Sequence, residues 1–119
     1  MSAEAKTLQQ VVTLFGPNAT DELVQNPEFY AEVAKYSKVV VKYQVLNLDD
    51  ASLYIQTAKV KDKKYWRSTK TISAVGDDSV ILTRDAGLTS EYLENWLRWR
   101  VAASGANWRV TFSIQLFCK

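Results

Sequence analysis

The feature that most restricts what this chain can fold into is a sustained period-two alternation near its C-terminus. From Trp96 to Ala103, the residues Leu97, Trp99, Val101 and Ala103 alternate with Trp96, Arg98, Arg100 and Ala102. From Asn107 to Phe117, the residues Trp108, Val110, Phe112, Ile114 and Leu116 alternate with Arg109, Thr111, Ser113 and Gln115. Successive side chains of a strand point to opposite faces, so each segment gathers its apolar residues on one face. With Ser104-Gly105-Ala106-Asn107 as a four-residue loop, the two segments read as a hairpin. Ala103 then faces Trp108, Val101 faces Val110, Trp99 faces Phe112 and Leu97 faces Ile114. A one-residue slip would turn the whole apolar set into water, which makes the register strongly specified.

Upstream segments share this period. Val39, Val41, Tyr43 and Val45 alternate with Val40, Lys42, Gln44 and Leu46, ahead of the turn residues Asn47, Asp49 and Asp50. Leu53, Ile55 and Thr57 begin a second strand, and Lys61-Asp62-Lys63-Lys64 is a polar turn. Tyr65 to Ser73 form a third strand, Gly76-Asp77-Asp78 a turn, Ser79 to Arg84 a fourth strand, and Asp85-Ala86-Gly87 its end. Short strands with turn signals about every 8–12 residues predict an antiparallel β-sandwich or jelly roll.

The first 36 residues have a different character. Leu8, Val11, Val12 and Phe15 fall at helical spacing between Ala5 and Phe15, and Gly16-Pro17 comes next as a stop. Asn18 or Thr20 is placed to cap a second helical stretch that opens with Asp21 and Glu22. Pro27 starts a further turn in which Phe29, Tyr30, Val33 and Tyr36 share a face. Residues 1–36 hold two lysines against five acids, and residues 37–119 hold the other 13 bases and eight acids. The expected organisation is a helical N-terminal arm over 1–36 and an antiparallel sandwich over 37–119.

Composition narrows the function classes. A chain of 119 residues that is 47% hydrophobic, with a net charge of +2, carries enough apolar surface for one domain and too much for disorder. The count of zero His removes Ser/His and Cys/His nucleophilic pairs and His-bearing zinc sites. The lone Cys118 has no partner for an internal disulfide. No run approaches the roughly 20 apolar residues of a membrane helix. Met1 to Lys6 lack a basic region leading into an apolar run, so cytoplasmic synthesis without a signal peptide is expected. The expected chain is not an enzyme and needs no cofactor or metal. Glu91 and Glu94 are the carboxylates a glycosidase pair would draw on, but no cleft is legible around them. Asp49/Asp50 and Asp77/Asp78 lack the spaced ligands of a calcium loop.

Candidate binding residues are arginines and aromatics. In the hairpin register, Arg98, Arg100 and Arg109 share the outer side of one sheet, a set suited to carboxylates, phosphates or an acidic neighbour. The same charges also discourage sheet-to-sheet aggregation. Trp96 lies on that face as an interface anchor. Leu8, Val12 and Phe15 are the contact residues of the arm. Trp66 and Tyr65 form the candidate platform for a sugar, whereas Trp99 and Trp108 belong to the apolar side. Lys59, Lys61, Lys63, Lys64, Arg67 and Lys70 surround that pair, but a charged turn explains the cluster and nucleic acid is not the expected partner. Asn18-Ala19-Thr20 matches a glycosylation acceptor by pattern alone.

Leu97-Arg98-Trp99-Arg100-Val101, Ser104-Gly105 and Trp108-Arg109-Val110-Thr111-Phe112-Ser113-Ile114-Gln115-Leu116 together resemble the ending of small bacterial and phage-associated β-sandwich structural proteins. Leu53-Tyr54-Ile55-Gln56-Thr57-Ala58, with Trp66 beyond it, is similar to their earlier strands, so the resemblance spans residues 38–117. It implies an accessory decoration or shell protein that associates with itself or with a capsid or shell protein, and it carries no catalytic residues. A carbohydrate-binding, lectin-like sandwich with glycan partners is the alternative.

Overall fold

The computed structural model describes residues 4–84 and 91–119 and shows two antiparallel sheets packed face to face. The strands are β1 (Glu4–Gly16), β2 (Glu22–Val24), β3 (Ala31–Glu32), β4 (Lys38–Asp49), β5 (Ala51–Ala58), β6 (Arg67–Ile72), β7 (Gly76–Thr83), β8 (Trp96–Ala103) and β9 (Trp108–Cys118). The first sheet runs β1-β9-β4-β7. The second runs β2-β8-β5-β6, with β3 also paired to β8 beyond β2. The mainly β, sandwich-like architecture matches the expectation. The expected strand end at Asp85-Ala86-Gly87 lies outside the described residues.

The structure departs from the sequence expectation in two main places and one lesser one. First, the described part of residues 1–36 contains no α-helix, only three strands and a 3-10 turn at Pro27–Phe29. β1 lies along β9 from Glu4↔Cys118 to Gly16↔Trp108, and β2 and β3 lie along β8, all within the same chain. Two register shifts, between Thr7 and Gln9 and between Gln9 and Val12, explain the helical appearance of the apolar spacing. At these bulges Leu8 and Gln9 both turn inward and Gln10 and Val11 both turn outward, so strict alternation is broken. β1 has the β-branched run Val11-Val12-Thr13 and covers an edge of β9 that would otherwise be open.

Second, β8 and β9 do not pair. β8 belongs to the second sheet and β9 to the first, so the connection is an arch between sheets and not a hairpin. Their apolar faces meet across the core, where Trp99 and Phe112 make an edge-to-face contact at 5.2 Å. Alternation places an apolar face against the core in either arrangement, so it could not separate the two. β4 crosses to β5 in the same way through Asp50, whose φ is 52°. The two arches touch, because the amides of Ser104 and Gly105 both donate to the Asp50 carbonyl, at 2.8 and 3.3 Å. The turn expected at Gly76-Asp77-Asp78 is already strand, opposite Val45, Gln44 and Tyr43.

The core lies between the sheets and includes Val39, Val41, Leu53, Ile55, Leu82, Leu97, Val101, Val110, Phe112, Ile114 and Leu116, all fully buried. Arg84 fastens the loop after β3 to this body. Its Nε donates to the Tyr36 carbonyl at 2.7 Å and its Nη2 to the Val33 carbonyl at 2.7 Å. Such bonds satisfy buried carbonyls that no ladder reaches. Tyr36 in turn donates to the Glu4 carboxylate, which ties that loop to the start of β1.

Candidate functional site

The two outer faces of the sandwich differ in chemistry. On the second sheet, alternation along β8 turns Trp96, Arg98, Arg100 and Ala102 outward, and in register β5 presents Ala58, Gln56, Tyr54 and Ser52 beside them. Arg98 is only 9% exposed, although it lies on an outer face, because two loops fold over it. One comes after the 3-10 turn Pro27–Phe29, capped by Asn26, whose side chain accepts from the Glu28 amide; this turn delivers Tyr30. The other comes after the 3-10 turn Lys63–Tyr65, capped by Asp62, whose side chain accepts from the Lys64 amide; this turn delivers Trp66. Short polar caps of this kind set where each chain leaves its turn.

The guanidinium of Arg98 sits 4.2 Å from the Trp66 ring centre and 5.7 Å from that of Tyr30. The two rings meet edge to face at 4.9 Å. The Arg98 Nε donates to Gln56 Oε1 at 2.8 Å and Nη1 to the Tyr30 hydroxyl at 3.1 Å. The Gln56 amide is itself oriented, since its Nε2 donates to Ser68 Oγ at 3.3 Å. Lys61 lies 4.4 Å above the Trp96 ring, and Arg100 donates to Glu22 at 2.6 Å while lying 5.0 Å from the Tyr54 ring centre. The hydrogen bond from Arg100 holds the Glu22 carboxyl below the usual range. These groups surround an open cleft of about 660 Å³ bounded by Glu22, Val24, Tyr30, Lys61, Trp66 and Arg98. A stacked, oriented guanidinium beside a lysine recognises an anion held against an apolar wall.

On the first sheet, the pairings Ala5↔Phe117, Val40↔Phe117 and Val40↔Ile81 align an apolar row across all four strands of the outer face. Ile81 is 54% exposed, and Val40 and Phe117 are half-buried. The next row is polar throughout, with Thr7, Gln115, Lys42 and Ser79, and on the other side Lys38 pairs with Thr83.

The expected contact residues are thus redistributed. Arg98, Arg100, Trp96 and Trp66 come together on the second sheet, but Arg109 lies on the outer face of the first, opposite Phe15 and Asp49. The arch that replaces the hairpin is the direct cause. Phe15 is 71% exposed beside Arg109, Val12 packs half-buried against the core, and Leu8 is a core residue. Tyr65 is exposed and is not among the cleft residues, while one ring of the expected sugar platform, Trp66, already carries the Arg98 guanidinium. Trp108 and Trp99 are buried as expected, their indole N–H groups donating to Asp21 and Gln9 at 2.9 Å each. Nothing in the sequence alone singles out Tyr30, Gln56 and Glu22 as a group. Gln56 carries a signal, as an outward residue between Ile55 and Thr57, but Tyr30 depends on how the Pro27 turn returns to the sheet.

Among the described residues no helix is long and apolar enough to cross a membrane. No protein-family model matches the chain, and no curated protein matches it. A solved chain from Bacillus endospore appendages, described as disulfide-linked pili, is similar to it at 7% identity with a TM-score of 0.46, covering 100% of this chain and 93% of that one. At that distance, function is read from the chain's own surfaces.

Proposed function

We propose that this chain is a non-enzymatic structural protein that self-associates, serving as a β-sandwich subunit of a larger particle such as a virion or protein shell. The observation that carries this reading is the apolar row Ala5, Phe117, Val40 and Ile81 on the outer face of the first sheet. The core between the sheets is complete without it, and cross-strand pairing within the row leaves Ile81 more than half exposed to water. Contiguous exposed apolar rows bounded by polar ones mark contact surfaces. The row ends on β7, the last strand of that sheet. Because β1 is paired to β9 within the chain, this reading rests on the sheet face and not on a detached arm.

Sedimentation velocity across a wide dilution series tests the proposal. The wild-type chain should sediment faster as concentration rises, and Ile81→Glu, at an exposed position that leaves the core intact, should sediment as one slow species throughout. Identical, concentration-independent sedimentation of both proteins would overturn it.

A further inference from the structure

The cleft on the second sheet lies on the opposite face of the sandwich from the apolar row, so a ligand there is independent of self-association. Arg98 is a cation nine-tenths buried, yet no carboxylate among the described residues forms an ion pair with it. Its Nε and Nη1 are engaged by Gln56 and Tyr30. Nη2 has no hydrogen-bond partner among the described residues, and since none of their fully buried side-chain polar atoms lacks one, Nη2 keeps some contact with solvent on a residue that lines the cleft. Burying a guanidinium is unfavourable unless its charge is answered, and here the Trp66 and Tyr30 rings and the more distant Glu22 carboxylate answer it without a direct ion pair.

We propose that this cleft binds a carboxylate side chain presented by a partner polypeptide, with the Nη2 edge of Arg98 as the first donor and the Lys61 ammonium as the second. Charge selects the ligand class. Arg98 and Lys61 are the cations of the lining, and its one carboxylate, Glu22, is already paired with Arg100 from outside it. Of the two cations only Arg98 is fixed by its neighbours, so one donor edge fits one carboxylate, whereas a phosphate dianion or a nucleic-acid backbone would lie beside the Glu22 carboxylate with a single fixed cation to hold it. The aromatic groups select the source. Trp66 already stacks with Arg98 and Trp96 with Lys61, so the rings a sugar acid would lie against are engaged by cations. Val24 and Tyr30 leave an apolar wall for the methylenes of a glutamate.

An NMR titration that tracks the indole N–H signals of Trp66 and Trp96 tests this with a short glycine-rich peptide carrying one glutamate and its glutamine counterpart. The glutamate peptide should shift both signals saturably, and the glutamine peptide should bind about tenfold more weakly. Arg98 holds Trp66 and Tyr30 in place, so its own replacement risks the fold, and two rim variants carry the test. Lys61→Glu should weaken binding and Glu22→Gln should strengthen it, each about threefold, with the wild-type effect fading at high salt. Equal binding of the two peptides, or no shift with either, would overturn the proposal. So would a galacturonate oligomer or inorganic phosphate that saturates these signals where the glutamate peptide does not.

Discussion

Single residues decide whether the two sheet-crossing arches close. Gly105 sits so near Asp50 that a methyl group there would stand 2.8 Å from Asp50 Cγ and 2.9 Å from its Cβ. The nearer part of the aspartate side chain cannot swing away without moving the backbone that carries the 52° φ. Gly105→Ala should therefore lower stability by about 1–3 kcal/mol, as overpacked sites do, measured as the shift of the urea midpoint at constant m. At the other end of the same arch, a methyl on Gly16 would come 2.4 Å from Asp21 Oδ2 and 2.8 Å from Trp108 Nε1, the two atoms that hydrogen-bond each other. Neither requirement is legible in the sequence, since a glycine in a turn looks the same whether it needs a special φ or a missing Cβ.

At the scale of elements, the strands from β4 onward are legible and the first three are not. β4 to β9 fall within a few residues of where the sequence puts them, because most of them carry a period-two apolar face and a slip would expose it. β1 escapes because its bulges bring Leu8 and Gln9 to one side. The partner of each strand is equally hidden. Ala103 and Trp108 look like the ends of a hairpin, yet the arch sends them to different sheets, and with them Arg98 and Arg109 to opposite outer faces. Half of the candidate site is therefore readable: the outward arginines of β8, but not the Tyr30 and Trp66 loops that bury one of them. β1, β2 and β3 supply edges to both sheets, so a chain beginning at Ser37 would leave β9 and β8 open along their length. Such a chain should lack the cooperative urea transition of the full chain and should precipitate, observed by circular dichroism and turbidity. A cooperative transition at an unchanged midpoint would show that those strands are dispensable.

For the molecule as a whole, stability should be bounded at both ends of the pH range by groups that tie the N-terminal strands down. Glu4 and Glu22 are held below the ordinary 4.5, and Asp21 below 3.8, foremost by hydrogen bonds from Tyr36, Arg100 and Trp108 respectively. The folded chain thus favours their charged forms, and the stability they add is whole above 4.5 and drains away as pH falls below it. Tyr36 has the opposite sign. Its hydrogen bond to the Glu4 carboxylate pushes it up from 10.0 to about 12, so its contribution is whole below 10.0 and is lost as pH climbs toward 12. The urea midpoint should be highest near neutrality and lower at about pH 3 and about pH 11.

Self-association through the apolar row of the first sheet, and not through the far end of that sheet, is open to one decisive comparison. Absolute mass would be measured by light scattering after size exclusion on the wild-type chain, Ile81→Glu and Phe15→Glu. The wild type and Phe15→Glu should each give a defined multiple of 13.5 kDa, and Ile81→Glu should give 13.5 kDa. A wild-type mass of 13.5 kDa at every concentration, or dispersal by Phe15→Glu with Ile81→Glu still assembled, would contradict assembly through that row.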